Sequence, residues 1–177
     1  MMEPIIECVP NISEGRDNDI IQKIINSVEQ SSRCSILGVE PDRDYNRTVI
    51  TIAGNPTDVY QAAYQIIKAS IELIDMSCHE GEHPRLGAVD VCPFIPLSNY
   101  SMDECSNLAR KLAKSVAEDF GVCTFLYGYA AAKPERKLLS SLRRGEYEGL
   151  QARLSDSDEL HTEATKKPDF GPEEWTD

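Results

Sequence analysis

The chain has 177 residues, 41% of them apolar and 27% charged, the profile of an ordinary globular domain able to bury a core without staples. A net charge of −12 argues against a general nucleic-acid surface. No apolar run reaches the roughly eighteen residues that a membrane-spanning helix needs, so no membrane partner is expected.

Residues 4–9 form a short apolar run that predicts a strand ending at Pro10-Asn11. A polar turn, Ser13 to Asp17, leads into a helix whose Ile20, Ile21, Ile24, Ile25 and Val28 recur on one face of a 3.6-residue period. Two strand-like runs follow, near 34–39 and 47–53, the second β-branched and alternating, with a polar loop Pro41 to Asn46 between them. Asn55, Pro56 and Asp58 then announce a second helix as cap, first residue and first-turn acid, running to about Ile74. After a loop marked by glycine and proline, Val89–Leu97 predicts a strand. Ser101 and Glu104 form a capping box for a third helix that Gly121 ends. Val122–Tyr127 reads as a last strand, with short helical pieces near 135–143 and 146–153.

The first six elements follow the split βαβ, ferredoxin-like order. The expected class is therefore α/β (α+β): a mixed β-sheet with helices mainly on one face, plus an extra helix and strand. Residues 1–154 are read as one subdomain. Residues 155–177 are read as an acidic, flexible tail, since eight acids against Lys166 and Lys167 leave it at −6. The six cysteines contain no C-x-x-C pair, and nothing at the N-terminus resembles an export signal. Free buried thiols in a reducing cytoplasm are the expectation.

The densest chemistry lies in the loop from Ile74 to Gly87, which holds two of the three histidines with acids and an arginine. His79-Glu80-Gly81-Glu82-His83 satisfies H-E-x-x-H, the helical zinc motif. That motif needs both imidazoles on one continuous helix, yet Pro84 pushes His83 out of the α region and Gly81 weakens the turn. No metal is expected there. His83 is instead the candidate acid/base, with Pro84 fixing its backbone, Arg85 available to an anion and Asp90 opening the next strand. His79 and Glu82 are read as supporting residues. Asn11 is a substrate contact or a strand-end turn residue. Arg47, in a half-buried strand, is read as a carboxylate ligand. Arg143-Arg144 reads as a solvated helix end, and Trp175 as a ring that stacks on a pterin only under a closing partner surface.

Several blocks together carry a resemblance: Glu7 to Gly15, Asn46-Arg47-Thr48-Val49, Leu73 to Gly87 with Asp90 to Pro96, Arg144 to Glu148, and Pro168-Asp169-Phe170-Gly171-Pro172. In this order they resemble the glutamate formiminotransferases, and in particular the N-terminal subdomain of the bifunctional formiminotransferase-cyclodeaminases. The resemblance implies transfer of a formimino group from N-formimino-L-glutamate to N5 of tetrahydrofolate, the co-substrate, in histidine degradation. It implies that His83, in Glu-His-Pro-Arg, is catalytic, and that Gly171 and Pro172 begin the folate-binding stretch. Family members hold their substrates in a cleft against a second subdomain, whose segment lies outside this sequence. A separate chain or a second copy of this one supplying that wall is one of the readings left open, beside an excised subdomain and a natural short homologue. The rival expectation is a non-catalytic folate-binding or protein-interaction module.

Overall fold

The computed structural model describes residues 3–155 and 158–174. Trp175 lies outside them, as do Asp156 and Asp177 of the acidic segment. The chain divides into two compact units, one ending at Cys105 and one beginning at Ser106.

The first unit is built on strands β1 (Ile5–Cys8), β2 (Asn11–Ile12), β3 (Ser35–Asp42), β4 (Arg47–Gly54), β5 (Val89–Val91) and β6 (Phe94–Ser98). They run β5-β2-β4-β1-β6, with β3 on the far side of β4. Because β1 and β2 are two halves of one run, and β5 and β6 two halves of another, this is the ferredoxin-like arrangement the element order predicts. The sheet is not mixed: every ladder among the described residues is antiparallel. The physical reason is the split itself. The βα crossover joins β1 and β2 to β3, and β4 lies between them, so the parallel strands never share a ladder.

Prolines cut two of the runs. Pro10 has no N–H to donate, so the first run breaks after Cys8, although the Pro10 carbonyl still accepts from Ile50 N (2.9 Å). Pro93 breaks the run predicted for 89–97, and its carbonyl accepts from Val9 N (3.3 Å).

Helix α1 (Asn18–Ser31) starts where the Asp17 carboxylate accepts from Asp19 N and Ile20 N. Helix α2 (Pro56–Leu73) starts where Asn55 accepts from Asp58 N. Each cap satisfies helix donors that otherwise have no partner. The apolar faces of α1 and α2 meet each other, and α2 lies on β1, β4 and β5. Ile6, Ile12, Ile24, Ile50, Ile52 and Ile66 are fully enclosed there. Each contributes about 1.5–3 kcal/mol by burial. β4 alternates accordingly: Thr48, Ile50 and Ile52 face this core, while Arg47, Val49 and Thr51 occupy the opposite, half-buried face.

Helix α3 (Met102–Phe120) begins at the predicted capping box: Glu104 accepts from Ser101 N (2.8 Å) and the Ser101 hydroxyl accepts from Glu104 N (3.2 Å). In the second unit its Leu112, Val116 and Ala117 are buried. The strand expected at 122–127 reduces to one bridge, Thr124 with Phe170. Leu126 N donates to the Asp169 carboxylate rather than to a strand carbonyl, which ends the ladder. Helices α4 (Leu139–Leu142) and α5 (Leu150–Arg153) are single turns.

Two buried arginines organise this unit. Arg153 donates to the carbonyls of Lys166 (3.0 Å) and Leu142 (2.7 Å) and to that of Thr165, and it stacks on Phe125 at 3.9 Å. Burial and the nearby Arg136 charge pull its pKa down to about 10. Arg136 donates to the carbonyls of Ala164 and Lys167 and pairs with Asp169. Residues 164–169 are thus held by backbone carbonyls around two guanidinium groups.

Candidate functional site

Asn46 is the hub of the first unit's loop cluster. It sits at φ 49°, a left-handed conformation that Asn adopts more readily than most side chains. Its Oδ1 accepts from Gly15 N (3.0 Å), and its Nδ2 donates to the Glu80 carbonyl (2.9 Å). Its own carbonyl lies 2.9 Å from His79 Nε2. Three segments far apart in sequence, around residues 15, 46 and 80, are therefore tied through one side chain. The approach demands glycine on both sides. A Cβ at Gly15 would fall 2.2 Å from the Asp42 carbonyl, and one at Gly81 would fall 2.5 Å from the Tyr45 carbonyl.

The 79–83 segment is not helical. A single 3-10 turn ends at Cys78, and residues 79–83 continue as irregular chain. His79 Nδ1 accepts from Arg85 Nε (3.0 Å), so the ring proton belongs on Nε2, which donates to the Asn46 carbonyl. Both imidazole nitrogens of His79 are engaged by protein groups. Arg85 is 5% exposed and donates from Nη2 to the His79 carbonyl (3.1 Å). Arg85 thus braces His79 through Nε and Nη2. Asp90 accepts from Leu86 N (3.1 Å), and the Ser13 hydroxyl donates to the Gly87 carbonyl (2.7 Å), closing the loop at its far end. Glu82 is exposed, and its backbone N–H reaches the Asp44 carbonyl (3.5 Å).

His83 is half-buried on this braced loop and meets Tyr45 edge-on, with ring centroids 6.3 Å apart and planes at 89°. Arg47 lies over the same tyrosine, its guanidinium carbon 5.6 Å from the ring centroid. Tyr45 thereby links the two residues of clearest chemical promise. Sequence reading passed over it as part of a polar loop, though an aromatic beside Asn46-Arg47 was a usable signal.

Asn11 and Arg47 share the sheet face away from α1 and α2. Asn11 is the ladder partner of Val49, and Val49 is on the same face of β4 as Arg47. Asn11 is only 7% exposed, yet its Oδ1 has no hydrogen-bond partner, and neither has the buried Nε of Arg47. Buried polar atoms are normally paired, so two orphans on one face, an acceptor and a charged donor, fit a polar ligand. Gly171 and Pro172 lie in the second unit beside Val122 and Cys123, where the Cys123 thiol donates to the Pro172 carbonyl (3.1 Å). Arg143 is half-buried and Arg144 exposed. No helix among the described residues is long and apolar enough to cross a membrane.

The chain is similar to a described family and to several known proteins. The family described as the formiminotransferase domain, N-terminal subdomain, matches residues 5–177. Formimidoyltransferase-cyclodeaminase of Dictyostelium discoideum is 44% identical over 171 residues, which are 97% of this chain and 30% of that protein. The Sus scrofa protein of the same name is 45% identical over the same shares. Glutamate formimidoyltransferase of Thermoplasma acidophilum is 43% identical over 168 residues, 95% of this chain and 54% of that protein. The chain spans 30% of the length of the first two and 54% of the third. It belongs to the formiminotransferase family, to which it corresponds as the N-terminal subdomain.

Proposed function

We propose that this chain supplies the acid/base and carboxylate-binding part of a site that moves a formimino group from N-formimino-L-glutamate to N5 of tetrahydrofolate. The observation that carries the reading is the pair of orphaned buried atoms, Asn11 Oδ1 and Arg47 Nε, on one sheet face. Arg47 binds a substrate carboxylate through charge-assisted hydrogen bonds. Asn11 accepts from a ligand N–H, which an amidine or an aminopterin ring both offer. Asp90 and Glu82 support the loop, and the family resemblance assigns Gly171 and Pro172 to the start of the folate segment.

His83 accepts the proton shed by the attacking N5 nitrogen as the tetrahedral intermediate forms. It then returns a proton to the glutamate nitrogen as the carbon–nitrogen bond breaks. Such acid/base help is worth about 10²–10⁴ in rate. His79 cannot share the task while Arg85 and Asn46 occupy both its nitrogens. Positioning of the two substrates is the other large term, and a second subdomain contributes it. The reading assigns the protein to histidine degradation and one-carbon metabolism in the cytoplasm.

The test is calorimetric binding of N-formimino-L-glutamate to a full-length relative carrying the equivalents of Arg47→Ala and Asn11→Ala. Loss of one charged or buried hydrogen bond predicts affinity weakened about 10–100-fold. Binding unchanged within about twofold in both variants would sink the assignment.

A further inference from the structure

Outside this site, the first unit holds a second reactive pair. Cys8 ends β1 and Cys92 lies in the break between β5 and β6, and their sulfurs are 3.6 Å apart. Cys8 is fully enclosed, whereas Cys92 is half-buried. All six cysteines are free thiols. We infer that Cys8 and Cys92 form an oxidation site, closing to a disulfide when a peroxide-class oxidant reaches Cys92.

The partition of burial sets the order of steps. The Cys92 sulfur attacks one peroxide oxygen, breaking the O–O bond, and becomes a sulfenic acid with release of one water. The Cys8 sulfur then attacks the Cys92 sulfur, and the S–O bond breaks. The departing oxygen leaves as a second water, carrying the Cys8 proton. Two thiols and one peroxide thus yield one disulfide and two waters. Burial pushes the Cys8 thiol up, reinforced by its contact with Cys92, so Cys8 is the resolving partner and not the first to react. The sulfurs need to close by roughly 1.5 Å, within reach of side-chain rotation and a small strand shift.

The location gives the bond a consequence. Cys8 directly precedes Val9-Pro10-Asn11, and Cys92 directly follows Val91, the ladder partner of Asn11. The disulfide would staple the crossover of strands that presents Asn11.

The experiment treats the folded chain with hydrogen peroxide, blocks remaining thiols with iodoacetamide and maps disulfides by non-reducing tandem mass spectrometry. The expected first product links the tryptic peptide ending at Arg16 to the one ending at Arg110, with the bond on Cys92 and not Cys105. Cys92→Ser should abolish the link and leave Cys8 unmodified. The same digestion in urea should give a mixture of disulfides. Cys92 halted at sulfinic acid, exposed Cys78 oxidised with Cys8 and Cys92 both intact, or identical disulfide mixtures with and without urea would each overturn the proposal.

Discussion

Arg85 donates to His79 twice, from Nε to the ring nitrogen Nδ1 at 3.0 Å and from Nη2 to the carbonyl at 3.1 Å. Together with the Asn46 carbonyl on the other side of the ring, this locks an imidazole into one orientation and one tautomer. The consequence for the loop is a division of labour. His79 and Arg85 form a frame, and His83, a few residues on, is presented by it.

If His79 and Arg85 act as one frame, their removal is not additive. His79→Ala and Arg85→Ala should each destabilise the fold by about 1–3 kcal/mol, since each leaves buried partners unsatisfied. The double variant should cost less than the sum, with a coupling of about 0.5–3 kcal/mol by urea unfolding. Strict additivity would show that the two residues work independently.

Asn46 joins the glycine turn, the β4 entrance and the histidine loop through opposite ends of one amide. Asn46→Ala should therefore lower stability by about 2–4 kcal/mol, from two unpaired groups and a left-handed backbone that alanine disfavours. Asn46→Asp should lie between, since it keeps the acceptor for Gly15 N and loses the donor to Glu80. Urea midpoints of the three proteins check the ranking, and an aspartate variant no better than alanine would remove the Gly15 bond from the account.

Much of the fold was legible because its signals are local. The polar turn ending at Asp17, Asn55 with Pro56, and Ser101 with Glu104 each precede a helix, and all three helices start there. Among the candidate site residues, Asn11 and Arg47 stand out as polar groups in or beside apolar strands, and His83 as an imidazole in a loop dense with acids and an arginine. What sequence could not give was partnership at a distance. Arg85 reads as an available cation, and its bracing of His79 is visible only in the structure. Arg136 and Arg153 attract no notice until backbone carbonyls surround them. The strand predicted at 122–127 fails for the same reason, because Asp169, distant in sequence, takes the Leu126 N–H. The breaks in these two strands were readable, since Pro10 and Pro93 lack the donor a continuous ladder needs.

The H-E-x-x-H match makes a sharp metal prediction. Both His79 nitrogens are bonded to protein groups and no helix spans residues 79–83, so zinc should not bind stoichiometrically through the pair. Elemental analysis after EDTA dialysis and zinc re-addition tests this. One tightly held zinc per chain, lost in both His79→Ala and His83→Ala, would contradict the geometry.

The acidic segment has its own pH signature. Burial alone would raise the Asp158 carboxyl, but the hydrogen bond from His161 (3.0 Å) and the Leu160 N–H (3.0 Å) outweigh it and hold its pKa below the ordinary value. A depressed folded-state pKa gives stability that is present above the unfolded carboxyl's pKa. That stability is lost as pH falls through the folded value, hence below about pH 4. Thermal melts of wild type and Asp158→Asn should therefore differ at neutral pH and converge in acid. A gap that persists unchanged to about pH 2 would mean that the carboxylate charge is not what stabilises the segment.

The most direct test of the central claim is single-turnover formimino transfer by a full-length relative carrying the equivalent of His83→Ala, with melting temperatures measured alongside. His83 lies on a loop outside any apolar periodicity and packs edge-on against Tyr45, so its loss should cost only about 0.5–1.5 kcal/mol of stability. The rate should fall about 10²–10⁴-fold, as for a lost acid/base group. A variant that keeps turnover within about threefold of wild type would contradict the assignment of His83. Loss of activity that tracks unfolding would instead make it part of the frame.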